Sequence, residues 1–135
     1  MDANDGPLET ALKEQQLLRE ALLLCDDTTA DIVAVQMRFD RVDVRVAVNP
    51  DDDTITTAFG SSSVGVDEYF EPAREPWIEA VGMRVQWYWC MENNQGYCDG
   101  LQIEFVAAEG GGASHCIQMI AIASALSIRS VREIR

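Results

Sequence analysis

Two neighbouring stretches of the chain, residues 31–39 and 41–48, alternate between apolar side chains and others, and this alternation limits the fold more than any other feature. The apolar positions are Val33, Val35, Met37 and Phe39, followed by Val42, Val44, Val46 and Val48. A period of two residues places each series on one face of a β-strand. Only Asp40 and Arg41 separate the two series, which leaves room for a tight hairpin turn. The sequence therefore predicts an antiparallel sheet.

Further strands follow from the same reasoning. Residues 49–53, Asn-Pro-Asp-Asp-Asp, are typical of a turn, because Asn and Asp bond to local backbone and Pro restricts φ. Thr54–Phe59 then predicts a third strand, and Arg84–Met91 and Leu101–Ala107 predict a fourth and a fifth. Cys116–Ile128 fits either a strand or a helix that is apolar nearly all round; we favour one long or bent strand, buried on both faces in its first half.

Helical spacing is clearest near the start of the chain, where apolar residues recur three and four apart between residues 8 and 24. A second, short helical turn is expected at Pro76–Val81, ended by Gly82. Residues 60–76, which include several acidic side chains, and the glycine-rich residues 109–114 are predicted to be connecting loops. The predicted fold is α+β: one domain, residues 1–135, in which an N-terminal helix (about 8–24) packs on a twisted antiparallel sheet of five or six strands (about 31–131).

Trp87 and Trp89 are predicted to belong to the hydrophobic core. They share a strand face with Val85 and Met91, and an unbroken hairpin would place them opposite the apolar residues Leu101, Ile103 and Phe105. Truncating a buried Trp to Ala typically costs about 3–5 kcal/mol. We therefore expect these two side chains to stabilise the fold and not to serve as an exposed recognition surface.

The charge of the chain is strongly unbalanced. Ten basic residues stand against 23 acidic ones, a net charge of −13. Residues 1–79 carry 18 acidic and six basic residues, a net of −12. Such a chain repels phosphate, which excludes an unassisted nucleic-acid binder and disfavours anionic membranes. The charge suits a basic protein partner; solubility or adaptation to high salt is the alternative explanation.

The cellular compartment is predicted from the N-terminus and the cysteines. Residues 1–7 are acidic and lack the basic and apolar regions of a signal peptide. The longest apolar run is far shorter than the ~20 residues that cross a bilayer. We therefore expect a cytoplasmic protein, in which the cysteines at 25, 90, 98 and 116 are reduced thiols.

Metal and cofactor chemistry finds little support in the sequence. Asn49, Asp51 and Asp53 match the first three ligand positions of an EF-hand loop, but the glycine and the final glutamate of that loop are missing. No Cys-x-x-Cys is present, so no zinc site is expected. A Cys98–His115 nucleophilic pair remains open, with small buried thiols as the alternative. We expect no metal and no cofactor.

The most informative segment for binding is the predicted hairpin 84–107. Its polar side chains alternate with the apolar ones and are expected to line one face and the connecting loop. The candidate binding residues are Tyr88, Tyr97, Asp99, Gln102 and Glu104. The alternative is that they form the solvated face of a half-buried sheet. No catalytic residue can be assigned.

The same segment, Trp87–Phe105, together with residues 46–55, resembles a small bacterial family catalogued only as a domain of unknown function. The similar features are the Trp-x-Trp strand, the Asn…Gly-Tyr-x-Asp loop and the Gln-x-Glu-Phe strand. The resemblance implies a bacterial, cytoplasmic, one-domain protein and assigns no activity and no site residues.

Two functions remain as hypotheses. The first is a non-catalytic acidic domain that binds a basic protein, by analogy with immunity proteins that neutralise basic nuclease toxins. The second is a small-ligand-binding protein or enzyme that uses the polar face of the 84–107 hairpin. The oligomeric state is left open.

Overall fold

The computed structural model describes residues 6–60, 67–109 and 114–131. Within these ranges, helices lie at Gly6–Lys13 (α1) and Trp77–Ala80 (α2). The strands β1 to β9 span, in chain order, Leu18–Asp26, Ile32–Phe39, Asp43–Asn49, Thr54–Phe59, Glu68–Pro72, Arg84–Glu92, Cys98–Val106, Ser114–Ile122 and Ala125–Val131. Parts of the predicted connections 60–76 and 109–114 fall on residues 61–66 and 110–113, outside the described residues.

The strands form two antiparallel sheets, with the orders β4-β3-β2-β1-β5 and β6-β7-β8-β9. One cluster of buried apolar residues draws on both sheets and on both helices. The prediction of an N-terminal helix packed on antiparallel sheet is confirmed. The prediction of one sheet with five or six strands is corrected to two sheets, of five and four strands. Two packed sheets bury the apolar faces that a single layer would leave open.

The predicted helix over residues 8–24 is wrong in its second half. Helix α1 ends at Lys13, Gln15 has a positive φ of 53°, and β1 begins at Leu18. Strand β1 lies between β2 and β5 and gains backbone partners on both sides. The run Leu22–Cys25 suits such a strand, because a strand flanked by pairing partners can bury both faces. The helical spacing of apolar residues is a local pattern, and it could not show that β2 and β5 would pair with this segment.

The predicted hairpins at residues 31–59 are confirmed. Val35 pairs with Val46 and Met37 with Val44, and all four side chains are buried. The acidic connection after residue 60, by contrast, contains a strand that we did not predict, β5, which pairs with β1. Its sequence, Glu-Tyr-Phe-Glu-Pro, carries too little apolar alternation to be recognised.

The C-terminal segment is extended, as predicted, but it forms two strands instead of one. Strands β8 and β9 are joined at Ala123 and Ser124, whose φ angles are 51° and 67°. Two consecutive positive φ angles are the signature of a type I′ hairpin turn. The backbone N–H of Ser124 donates to Asp53 Oδ1 (2.7 Å), so this turn is fixed to the β3–β4 turn of the other sheet.

The prediction that Trp87 and Trp89 are core residues is wrong. Val85 pairs with Phe105, but the next pair along the strand is Trp87 with Glu104, so an extra residue, Gln86, interrupts the ladder. This β-bulge shifts the facing of the rest of β6 by one residue. As a result Trp87 and Trp89 lie on the outward side, with 59% and 36% of their surfaces exposed.

The expectation of four reduced thiols is also corrected. Cys90 and Cys98 form a disulfide that closes the β6–β7 hairpin, while Cys25 and Cys116 remain thiols. Cys90 pairs with Leu101 and Cys98 with Glu92 in the register of the hairpin. The ladder thus brings two residues eight apart in sequence next to each other.

Asp40 gives the fold a specific sensitivity to acid. Its carboxylate accepts the Leu17 N–H (2.9 Å) and a bond from the Arg19 guanidinium, and these two bonds lower its pKa below the ordinary value of 3.8. A carboxyl group with a lowered pKa stabilises the folded state above its unfolded pKa, and this stability is lost as pH falls through the folded pKa. Asp40→Asn is therefore expected to lower the melting temperature at pH 7 and to make progressively less difference as the pH falls below 3.8, the ordinary pKa of the group.

Thermal unfolding of both proteins from pH 7 to pH 2 measures this difference. Arg19→Gln is the control, because it keeps the Leu17 bond, the larger cause of the shift, and should keep most of the pH dependence. A difference between Asp40→Asn and the parent that is the same at every pH contradicts the expectation.

Candidate functional site

The five residues predicted to form a site on the 84–107 hairpin do not converge. Gln102 and Glu104 share the outward side of β7. Tyr88 lies on the opposite side, paired with a buried residue of β7. Tyr97 is in the β6–β7 loop, where its backbone N–H donates to the side chain of Asn93 (3.2 Å). Asp99 is a half-buried residue of β7 without a register partner on β6.

Tyr88 has a structural contact that explains its position. Its hydroxyl donates to Glu9 Oε2 (2.6 Å) and so connects β6 to helix α1. This bond, with the nearby Lys13 ammonium, lowers the pKa of Glu9 below the ordinary value of 4.5. Both partners are therefore committed to the packing of α1, and Tyr88 is not part of a surface with Gln102 and Glu104.

The outward side of the four-stranded sheet carries the exposed tryptophans, and we call it the tryptophan face. Its residues follow the register in three rows across the four strands. The rows are Trp87–Glu104–Cys116–Val131, Trp89–Gln102–Gln118–Arg129 and Met91–Gly100–Ile120–Ser127. Glu104 and Arg129 are the charged members of these rows, and Arg84, which pairs with Val106 next to the first row, lies on the same side. This face of a protein with a net charge of −13 therefore has no excess of acid.

The middle row is a chain of hydrogen bonds. Arg129 Nε donates to Gln118 Oε1 (2.7 Å), and Gln118 Nε2 donates to Gln102 Oε1 (3.1 Å). The two amides are thereby oriented, which leaves the Gln102 amide nitrogen and the terminal nitrogens of Arg129 as further donors. Gln118 and Arg129 were missed in the sequence, because reading 116–128 as one strand conceals their pairing.

Gly100 leaves space in the third row for the side chain of Met91. A Cβ atom at Gly100 would come within 3.2 Å of Met91 Cβ and closer still to its Cε. The Met91 side chain therefore lies across the backbone of β7, and any larger residue at 100 would push it outward. Trp87, Trp89 and Met91, on the edge strand β6, form an apolar edge of this face.

A cavity of about 380 Å³ lies elsewhere, on the five-stranded sheet. Its apolar floor is Leu24, Ala34 and Ala47, and polar groups of Arg45, Asp26 and Glu68 border it. The Arg45 guanidinium lies 5.7 Å from the Phe70 ring, and its Nε donates to Gln36 Oε1 (2.9 Å). None of the five predicted site residues lines this cavity.

Acidic residues gather at one end of the five-stranded sheet, next to this cavity. The β1–β2 turn, the β3–β4 turn and the start of β5 all lie at that end, because β1 to β4 alternate in direction and Asp26 pairs with Glu68. We call it the acidic end. Its carboxylates are Asp26, Asp27, Asp31, Asp51, Asp52, Asp53, Asp67 and Glu68. The segments 26–31, 49–53 and 67–68 contain no Lys or Arg.

Local hydrogen bonds order several of these carboxylates. Asp26 Oδ1 accepts the backbone N–H groups of Thr28 (2.8 Å) and Thr29 (3.0 Å), which lower its pKa below the ordinary value of 3.8. Asp52 Oδ1 accepts the N–H and the hydroxyl of Thr54. The Asn-Pro-Asp-Asp-Asp segment is thus a turn, as predicted.

Nucleophilic chemistry at Cys98 and Cys25 is not supported. Cys98 is in the disulfide, and His115 Nε2 lies 2.8 Å from the carbonyl oxygen of Pro76, so the Cys98–His115 pair is excluded. Burial raises the pKa of the Cys25 thiol, and the nearby Glu71 adds to that shift. Within the described residues, no group of three or more metal-binding side chains comes together.

Comparison with known proteins gives a family and no function. A family model described as "Family of unknown function (DUF6334)" matches residues 1–135. No curated protein and no solved structure matches the chain. No helix in the described part of the chain is long and apolar enough to cross a membrane.

Proposed function

The chain belongs to the family of unknown function DUF6334, and because membership assigns no activity, we propose from its surface that it is a non-catalytic domain that binds a basic protein partner. The observation that carries this proposal is the acidic end. Three separate chain segments bring eight carboxylates to one end of the five-stranded sheet, without a basic residue on those segments.

Focused charge of this kind changes association rates. A cluster of one sign raises the local concentration of an oppositely charged partner and can increase on-rates by about 10–1,000-fold at low salt. Two of the acids at the other end of the sheet are paired with bases, Asp40 with Arg19 and Glu14 with Arg41. The unbalanced charge is therefore concentrated at the acidic end.

The second hypothesis, a small-ligand site or enzyme on the 84–107 hairpin, has less support. Of its five residues, only Gln102 and Glu104 share a face, and Tyr88 is bonded to Glu9. We also propose a cytoplasmic location, where the thiols of Cys25 and Cys116 would stay reduced.

Binding of a labelled lysine- and arginine-rich peptide, followed by fluorescence anisotropy, tests the proposed function. The test variant is Asp27→Asn/Asp31→Asn/Asp51→Asn, three exposed residues of the acidic end. At about 0.5 kcal/mol for each lost charge pair, we expect about a tenfold weaker affinity. The parent affinity should also fall steeply with added salt.

The matched control is Glu75→Gln/Glu79→Gln/Glu109→Gln, which removes the same number of exposed carboxylates away from the acidic end. We expect this control to weaken binding by less than about twofold. Equal losses in the two variants would mean that only net charge matters, and they would contradict the proposal. Undetectable binding of the parent at low salt would contradict it as well.

A further inference from the structure

We propose that two copies of this chain associate through the tryptophan face. This inference goes beyond the proposed function and does not depend on it. Its starting point is the β-bulge in β6, which exposes Trp87 and Trp89 side by side on one strand, at 59% and 36% of their surfaces. Contiguous exposed aromatic surface on a rigid sheet is typical of an interaction site.

The helices leave this face uncovered on the described part of the chain. Helix α1 reaches β6 through Tyr88, which lies on the core side of the sheet. Helix α2 reaches β8 through His115, which pairs with the buried Phe105 and so lies on the core side too. Both helices therefore contact the sheet from the side opposite Trp87 and Trp89.

Charge selects a second copy as the occupant. Two chains that each carry a net charge of −13 repel one another over most of their surfaces. The tryptophan face, whose charged members are the acid Glu104 and the bases Arg84 and Arg129, is where this repulsion is weakest. In a twofold dimer, the same surface patch of the two copies is in contact. Glu104 of one copy and Arg129 of the other carry opposite charges and can therefore form an ion pair.

The face also has a suitable size and composition. Three nine-residue strands and the seven-residue β9, at about 3.3 Å per residue and about 4.8 Å apart, give roughly 540 Å² in projection. Side-chain relief brings the accessible area toward the ~800 Å² per partner of a standard interface. Trp, Met and Arg are the residue types enriched in such interfaces, and all three are present in the rows through Trp89 and Met91.

The ordered middle row limits the entropic cost of association. Gln102, Gln118 and Arg129 are already connected by hydrogen bonds in one chain. Side chains that are fixed before contact lose less rotamer freedom when a partner binds. The contact surface is therefore preorganised.

Sedimentation equilibrium of the parent protein, from about 1 to 500 µM and at about 0.05 and 0.5 M salt, tests the proposal. We expect a monomer–dimer equilibrium that strengthens with salt, because salt screens the repulsion between the copies. Trp87→Ala/Trp89→Ala should weaken the dimer by at least tenfold while keeping the circular dichroism of the parent. Both side chains are outside the core, so this variant is expected to fold.

The matched control is Phe59→Ala/Ile78→Ala, which removes two side chains that are each 60% exposed on other elements. This control should leave the dimer unchanged. A parent that stays monomeric at every concentration and salt overturns the proposal, and so does an equal loss in both double variants. This test and the peptide-binding test of the proposed function can fail independently. Peptide binding at the acidic end should weaken with salt, whereas the dimer should strengthen, and Trp87→Ala/Trp89→Ala should bind the peptide as the parent does.

Discussion

Replacing Trp77 by alanine is expected to destabilise the protein by about 3–5 kcal/mol, a large part of a typical domain stability of about 5–15 kcal/mol. Trp77 is the largest fully buried side chain, only 1% exposed, and it packs edge-to-face on Phe105 with ring centroids 6.5 Å apart. Its removal leaves a cavity between α2 and the four-stranded sheet. Urea unfolding measures the loss as a lower midpoint with an unchanged slope.

Two control variants make the Trp77 result specific. Ile78→Ala changes the next residue of α2, which is exposed, and should stay within about 0.5 kcal/mol of the parent. Trp87→Ala should also cost far less than Trp77→Ala, provided that all proteins are compared at the same low concentration. If Trp87→Ala were as destabilising as Trp77→Ala, the outward facing assigned to β6 would be wrong.

Loss of the Cys90–Cys98 disulfide is expected to destabilise the oxidised protein by about 2–3 kcal/mol, as loop-closure entropy gives for a loop of this length. The bond joins residues eight apart and so restricts the unfolded chain around the β6–β7 loop. Cys90→Ser/Cys98→Ser should unfold at lower urea than the oxidised parent. Its stability should not respond to a reductant, whereas that of the parent should fall.

Cys116→Ser serves as the control, because Cys116 is outside the disulfide and this variant should still respond to reductant. Four titratable thiols in the purified, unreduced parent would contradict the disulfide. Alkylation of thiols in intact cells applies the same measurement to the proposed location: free Cys90 and Cys98 support the cytoplasm, where disulfides are rare. A persistent disulfide in cells contradicts that location.

The candidate surfaces could be foreseen from the sequence only in part. The excess of acidic residues in the range 1–79 could be counted from the sequence, but the place of these residues in the fold could not be predicted. Asp31, Asp51 and Asp67 come together because antiparallel strands return to the same end of the sheet, which is a property of topology. Gln102 and Glu104 were correctly expected on one face, since they lie two apart on one strand. Tyr88 was misplaced because the bulge at Gln86 reverses its side.

The sequence by itself determined the local elements whose signals are strong: the hairpins of residues 31–59, the Asn-Pro-Asp-Asp-Asp turn and the short helix α2. Alternation, turn residues and proline act over a few neighbours, so they can be recognised without knowledge of the fold. Tertiary structure alone decided the rest. Leu22–Cys25 became a strand because β2 and β5 offer backbone partners on both sides, and Trp87 and Trp89 turned outward because one extra residue in the ladder changes which face every later side chain occupies.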